Sequence, residues 1–370
     1  MGICAKETKE TKSTKYDFNR DKEIFPNLGK NNYITQKTNN TDRLMSDHLA
    51  QSNNNLNPQN NNIPNPISND MTNKNPTAQD NSKINYKCEK TIREHNDIIV
   101  CLIGLSSGNI ATCSYDKTIK ILDLKAFKCI REIKTLVRIF CLLEFEPGKL
   151  LCGTENKEIE LYDINTSAKQ NIVFQGHLLW VNCLAKCDAQ FFASGSNDTD
   201  IRIWSYSTQQ QYNVLSEHSK EVLALIILKD GRLCSGGADL SIKIWNWKDG
   251  KCEVTLIGHL RWIKCILELS DGKIISGSDD KTIRIWDKKN QLCINKLIEH
   301  EKSVRALCQL SDNLIASASF DKTIKIWDLN TNECVQTLND HSDKVVCLLK
   351  TSEYLISASG DKTIRFWKNE

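Results

Sequence analysis

The sequence predicts an all-β fold assembled from seven copies of one unit, behind an N-terminal tail that does not fold by itself. Three observations carry this. Histidines recur on a 41-residue grid, and columns of aspartate and tryptophan keep step with them. Beyond residue 84 the chain is a succession of short Ile, Leu, Val and Cys runs broken by Gly, Asp and Ser. That is the texture of short strands and not of helices.

In chain order the tail comes first. Residues 1–84 are rich in Asn, Thr, Ser and Lys, and residues 53–55 and 60–62 are all Asn. Apolar side chains are too sparse there to offset the entropy of ordering the chain, so disorder is expected. Met1-Gly2-Ile3-Cys4 resembles a dual acylation start, with Gly2 for myristate and Cys4 for palmitate. Two acyl chains anchor stably where one does not, so this resemblance implies peripheral association with a membrane. Against it, Lys6 stands where Ser or Thr is preferred, and in a chain with 16 cysteines Cys4 also fits chance.

The repeats follow. His95, His177, His218, His259, His300 and His341 lie on one grid; the last five are 41 residues apart and the first gap is 82, so one unit within that gap lacks its histidine. Counting 27 residues on from the first five gives Leu122, Trp204, Trp245, Trp286 and Trp327, and 26 on from His341 is Trp367. Asp116, Asp198, Asp239, Asp280 and Asp321 stand 21 residues after their histidines, and Asp361 stands 20 after His341. The gapped unit fits if Thr135 replaces His, Asn156 replaces Asp and Tyr162 replaces Trp. That makes seven units over residues 85–370.

The best-preserved stretch, Asp280-Lys281-Thr282-Ile283-Arg284-Ile285-Trp286-Asp287, is echoed at residues 321–328 and more loosely at 361–367. Here the chain resembles the WD40 family, whose units share this 40 to 45 residue period. The resemblance implies a seven-bladed β-propeller. It thins in places: Gly-His stands only at Gly176-His177 and Gly258-His259, and unit two has lost the whole signature.

Each unit should form a four-stranded sheet. Leu-Ile-Ala-Ser-Ala-Ser before Asp321 and Thr-Ile-Lys-Ile-Trp after Lys322 read as a hairpin around a polar turn. Radial stacking then buries both faces of each sheet and leaves only short edges. Small residues six positions after each histidine, such as Cys101, Cys183 and Ala224, suit the crowded innermost strands. The chain ends three residues after Trp367, so the last unit lacks an outer strand, whereas residues 87–92 resemble an outer strand with no unit before them. Together they should close the ring. In the family, His, a Ser or Thr of the second strand, Asp and Trp form a hydrogen-bonded network, so the resemblance gives the His, Asp and Trp columns a structural role and not that of catalytic dyads.

Composition narrows the function. Lys plus Arg number 49 against 46 Asp plus Glu, which leaves no broad basic footprint for nucleic acid. No apolar run approaches the roughly 18 to 20 residues of a membrane span, and the N-terminus lacks the apolar core of a secretory signal. A cytoplasmic protein with free thiols is expected, the nucleus remaining open. Cys183 and Cys187 are the nearest approach to metal-ligand spacing, without a second pair, so they read as strand thiols and no metal or cofactor is expected. No phosphate-binding Gly-rich loop, HExxH or Gly-x-Ser-x-Gly motif is present, which argues against an enzyme.

What the resemblance implies is a scaffold that binds protein or peptide partners. The alternatives are recognition of nucleic acid or histone tails, or substrate reception for a ubiquitin ligase. In WD40 propellers the position three after the histidine, the one two further on and the one before the turn Asp open on the top face. Carried onto this chain, they include Tyr115, Trp180, Asn182, Glu221, Trp262, Lys264, Arg305 and Phe320. Exposed aromatics beside Arg are the residue types that dominate protein hot spots.

Overall fold

The computed structural model describes residues 84–370, which form 28 β-strands in seven antiparallel four-stranded sheets. The expectations for the tail, disorder of residues 1–84 and acylation at Gly2 and Cys4, fall outside the described residues except at Ile84, which packs against the cluster that holds Tyr86. In six blades the four strands follow one another from the innermost outward, as at Ile263–Glu268, Ile274–Ser278, Ile283–Asp287 and Leu292–Leu297. The first strands of successive blades touch in an unbroken cycle, Val345–Lys350 meeting Ile99–Gly104 at the seam. Blade two, which had lost its signature, is a regular sheet from Ile139–Glu146 to Ala168–Phe174.

The seam is closed by the N-terminal strand. Tyr86–Ile92, one residue longer than the sequence suggests, lies antiparallel to Ile364–Asn369, with Cys88 opposite Trp367 and Ile92 opposite Ile364. Gln336 of blade six reinforces it: its Oε1 accepts from the Tyr86 N–H at 2.9 Å and its Nε2 donates to the Tyr86 carbonyl at 2.9 Å. A side-chain amide thus takes the place of a neighbouring strand.

Alternation along the strands decides what is buried. On Ile283–Asp287, Ile283, Ile285 and Trp286 are buried while Arg284 is half-exposed. Each of the seven apolar clusters draws on two adjacent blades; one joins Ile283, Ile285 and Leu297 of blade five to Val304, Ile315 and Trp327 of blade six. Trp204, Trp245, Trp286, Trp327 and Trp367 are at most 2% exposed. Trp247, two residues past Trp245, stands in the turn that follows its strand and is buried, packing on Phe191 and donating Nε1–H to the Gly231 carbonyl. Cys187 falls one residue past its strand, in the following turn, and so is not the strand thiol that the sequence suggested.

Two backbone devices recur. The residue after the turn Asp, or after Asn156 in blade two, is left-handed in every blade, from Lys117 at φ 62° to Thr199 at φ 77°, although none is glycine. The Asp offsets that cost by accepting, through Oδ1, the N–H two residues on, as Asp280 does from Thr282 at 3.0 Å. Each innermost strand also carries a bulge at its second residue, for example between Ile263 and Cys265 and between Val304 and Ala306. A bulge re-aims a side chain. Here the re-aimed residues are those five after the histidine, Asn182, Lys264 and Arg305 among them.

Candidate functional site

The histidine columns form closed hydrogen-bond chains. In blade five, His259 Nδ1 lies 2.8 Å from Asp280 Oδ2, His259 Nε2 lies 2.7 Å from Ser276 Oγ, and Trp286 Nε1–H donates to the same Oγ at 2.8 Å. The only consistent protonation of a neutral ring has Nδ1–H donating to Asp, with the serine hydroxyl accepting from Trp and donating to Nε2. Blades three, four, six and seven repeat the arrangement through His177, Ser194, Asp198 and Trp204; His218, Ser235, Asp239 and Trp245; His300, Ser317, Asp321 and Trp327; and His341, Ser357, Asp361 and Trp367. In blade one His95 bonds Asp116 and Thr112, both at 2.9 Å, and Leu122 takes the tryptophan's place. Blade two substitutes a different chain, in which the Tyr162 hydroxyl donates to Glu160 at 2.7 Å and Lys169 lies 2.5 Å from the same carboxylate.

Both nitrogens of each of these imidazoles are engaged and the side chains are at most 1% exposed, so none is placed to exchange a proton with a substrate. Burial lowers His95 and His259 below the ordinary imidazole value, against the opposite pull of Asp116 and Asp280. For Asp198 and Asp239 burial acts upward, but the His177 and His218 hydrogen bonds and charges win and bring each carboxyl down to about 2. Both effects make acid destabilising. The unfolded imidazole binds protons below about 6.5 that the folded one resists, and the unfolded carboxyl does so below about 4. Melting temperature should therefore hold near neutrality, decline as pH falls below about 6.5, and fall again from about 4 toward 2. A melting temperature that rose between pH 7 and 5 would contradict the neutral, buried imidazoles.

These chains hold one rim of the ring. In every blade the N–H before the turn Asp, or before Asn156 in blade two, donates to the carbonyl three residues after the histidine position: Tyr115 to Ile98, Glu155 to Arg138, Asn197 to Trp180, Ala238 to Glu221, Asp279 to Trp262, Phe320 to Ser303 and Gly360 to Lys344, at 2.8 to 3.1 Å. Residues far apart in sequence become neighbours on that rim.

They gather into two groups. Across blades one to three, Trp180 tilts against Phe140 at 5.2 Å, Phe140 meets Tyr115 edge-on at 6.2 Å, and the Arg138 guanidinium lies 5.1 Å over Tyr115. Across blades five to seven, the Lys264 ammonium lies 4.4 Å over Trp262, itself 38% exposed, and 3.5 Å from Asp279. Arg305 and Lys344 each lie 5.2 Å over Phe320. Asn182 is engaged elsewhere, donating to Asn197 at 2.7 Å and to the Val222 carbonyl at 2.9 Å, which ties blade three to blade four. Glu221 is half-buried on blade four.

Phe140, Arg138 and Lys344 were missed in the sequence, though the column offsets from Thr135 and His341 point to them. So were Leu136, Leu178 and Leu260, 86%, 68% and 75% exposed, each one residue after the histidine position. Among the described residues no three His, Cys, Asp or Glu side chains converge as metal ligands do.

Comparison with known proteins bears on this arrangement. A model of the WD domain, G-beta repeat, matches residues 86–123, 168–205, 209–246, 250–287, 291–328 and 332–368, more than half of the chain. Residues 124–167, which hold three strands of blade two, lie outside the matched segments. A WD repeat-containing protein 55 homolog of Dictyostelium discoideum is 30% identical over 152 residues, 40% of this chain and 36% of its own length. Target of rapamycin complex subunit LST8-1 of Arabidopsis thaliana is 30% identical over 120 residues, 31% of this chain and 39% of its own. A ribosome biogenesis protein WDR12 homolog of Anopheles gambiae is 30% identical over 142 residues, 36% and 33% respectively. The chain thus spans between about a third and two fifths of the length of these curated relatives.

Proposed function

The chain belongs to the WD domain, G-beta repeat family, and from that membership we propose that it is a non-catalytic adaptor that binds protein or peptide partners on the rim carrying Trp262 and Phe320. The observation that carries this is the cation-capped aromatic group of blades five to seven: Trp262 under Lys264, and Phe320 under Arg305 and Lys344. Flat, half-exposed rings beside guanidinium and ammonium groups offer large apolar contact with little conformational entropy to lose. Glu221, Tyr115 and Trp180 extend the proposed surface around the rim, and Asn182 contributes by holding it together. One relative is by name a subunit of a protein complex and another a ribosome biogenesis protein; joining partners in an assembly is the role proposed here.

The test is affinity capture with mass spectrometry, wild type against Trp262→Ala combined with Arg305→Glu, whose expected effect is argued below. Strongly salt-dependent RNA or DNA binding at physiological ionic strength, with no stable protein partner, would replace this reading with nucleic-acid recognition.

The membrane reading rests on Gly2 and Cys4 alone. We predict that Gly2→Ala moves the protein from the membrane to the soluble fraction of expressing cells, because palmitate on Cys4 follows the transient contact that myristate provides. Equal distribution of wild type and variant removes the lipid anchor from the proposal.

A further inference from the structure

The innermost strands carry a chemistry that the proposed binding role does not use. The residue after each bulge faces a glycine or alanine on the second strand in six blades; Cys141 faces Gly153 and Cys265 faces Gly277. The sulfurs fill the space above those glycines, since a Cβ on Gly153 would lie 2.4 Å from the Cys141 Sγ and one on Gly277 would lie 2.6 Å from the Cys265 Sγ. Blade one departs from this pattern. There Cys101 faces Cys113, and among the described residues no other two cysteines are register partners.

Register partners on antiparallel strands have Cα atoms about 4.5 to 5.5 Å apart, within the roughly 4.4 to 6.8 Å that a disulfide spans. Both cysteines are free thiols; Cys113 is fully buried, and Cys101 is half-buried as a residue with its thiol turned into the interior beside Cys113. The two differ in acidity. A hydrogen bond from the Cys113 thiol holds Cys101 below the ordinary thiol value against the opposing effect of burial, while burial pushes Cys113 well up. A more acidic thiol with a protonated resolving thiol opposite it is a pairing that peroxide-sensitive cysteines use.

We propose that Cys101 and Cys113 form a hydroperoxide-sensitive dithiol site, oxidised in two steps to a disulfide joining the two innermost strands of blade one. The Cys101 thiolate attacks the outer peroxide oxygen, the O–O bond breaks, and the peroxide leaves as water or an alcohol after taking a proton. The product is a sulfenic acid on Cys101. The Cys113 sulfur then attacks the Cys101 sulfur, its proton leaves with the hydroxyl as a second water, and the S–S bond forms. Two thiols lose two electrons to one peroxide. The crosslink lies two residues before Tyr115, so it braces the strand that feeds the blade-one turn.

Trypsin cuts after Arg93 and Lys117, so both cysteines fall in one peptide, 94–117. The full-length chain, freed of reductant, is exposed to a few equivalents of hydrogen peroxide, then denatured, alkylated with N-ethylmaleimide, digested and weighed. The expected result is peptide 94–117 lighter than its reduced form by two hydrogens and without alkyl groups, while the peptides of Cys141, Cys183 and Cys265 remain alkylated. Peptide 94–117 doubly alkylated after other cysteines have oxidised overturns the proposal, as does Cys101 passing to sulfinic acid with no crosslink. Cys113→Ala carries the small residue found at the same place in blades six and seven and should melt like wild type. In it, oxidation should stop at a sulfenic acid on Cys101 that dimedone traps; a disulfide from Cys101 to a third cysteine, formed as fast as in wild type, denies Cys113 the resolving role.

Discussion

A chain that starts at residue 95 should fail to fold as a closed ring, losing its cooperative melt, while a chain that starts at residue 84 should melt like the full-length protein. The shorter chain lacks Tyr86–Ile92 and with it the whole ladder against Ile364–Asn369. Tyr86 and Ile92 are 8% and 7% exposed, and each belongs to a different apolar cluster on either side of blade seven. Burying side chains of this size contributes about 1.5 to 3 kcal/mol apiece. Exposing the backbone of Ile364–Asn369 adds an open edge beside a core tryptophan, Trp367. These losses together reach the ~5 to 15 kcal/mol by which whole domains are stable. Gln336→Ala gives a graded version: it removes two hydrogen bonds from the Tyr86 backbone and should cost about 1 to 2 kcal/mol. Equal melting of the two truncations would mean that the seam is held by something other than this strand.

The seam was legible because closure leaves a mark in sequence, an outer-strand pattern without a unit before it and a last unit without one after it. Seven blades were legible for a similar reason. A gap of 82 between His95 and His177 counts a unit even where no residue of its signature survives. What decides the surface left no such mark. The bulges in the innermost strands shift backbone register without requiring any one residue type, since Val100, Phe140, Asn182, Lys264 and Arg305 all occupy the shifted place. Which ring then meets which cation depends on the curvature of the ring, as with Lys344 reaching Phe320 from the next blade. The pairing of Cys101 with Cys113 was hidden likewise, because a cysteine column on the inner strands says nothing of what stands opposite until register is known. Trp247 shows the reverse: an aromatic outside the tryptophan column is nonetheless buried in the fold, bonded to Gly231.

Trp262→Ala combined with Arg305→Glu should abolish partner capture while leaving the fold intact, and the two halves of that expectation have separate physical grounds. Trp262 is 38% exposed, and its clearest contact is with Lys264, a pair worth about 0.5 to 1 kcal/mol at an exposed site. Removing it withdraws a binding surface and little of the core. Arg305 is half-buried and its clearest contact is the Phe320 ring beneath its guanidinium, a pair of the same modest worth. Glutamate at 305 reverses the charge beside Phe320, while Lys344 over the same ring keeps a cation nearby. The rim then loses one ring and has one charge reversed, so a partner that packs on Trp262 and presents an acceptor to Arg305 loses both. A true hot spot costs more than ~2 kcal/mol, so affinity should fall by at least about thirtyfold. Leu292→Ser serves as the control: Leu292 is 60% exposed on the outer strand of blade five, away from this rim, and its loss should leave capture unchanged. Far-UV spectra and melting near wild type, with capture gone, establish the rim of blades five and six as the binding surface. Capture retained by a folded double variant moves the surface elsewhere, and a variant that unfolds shows Trp262 and Arg305 to be structural.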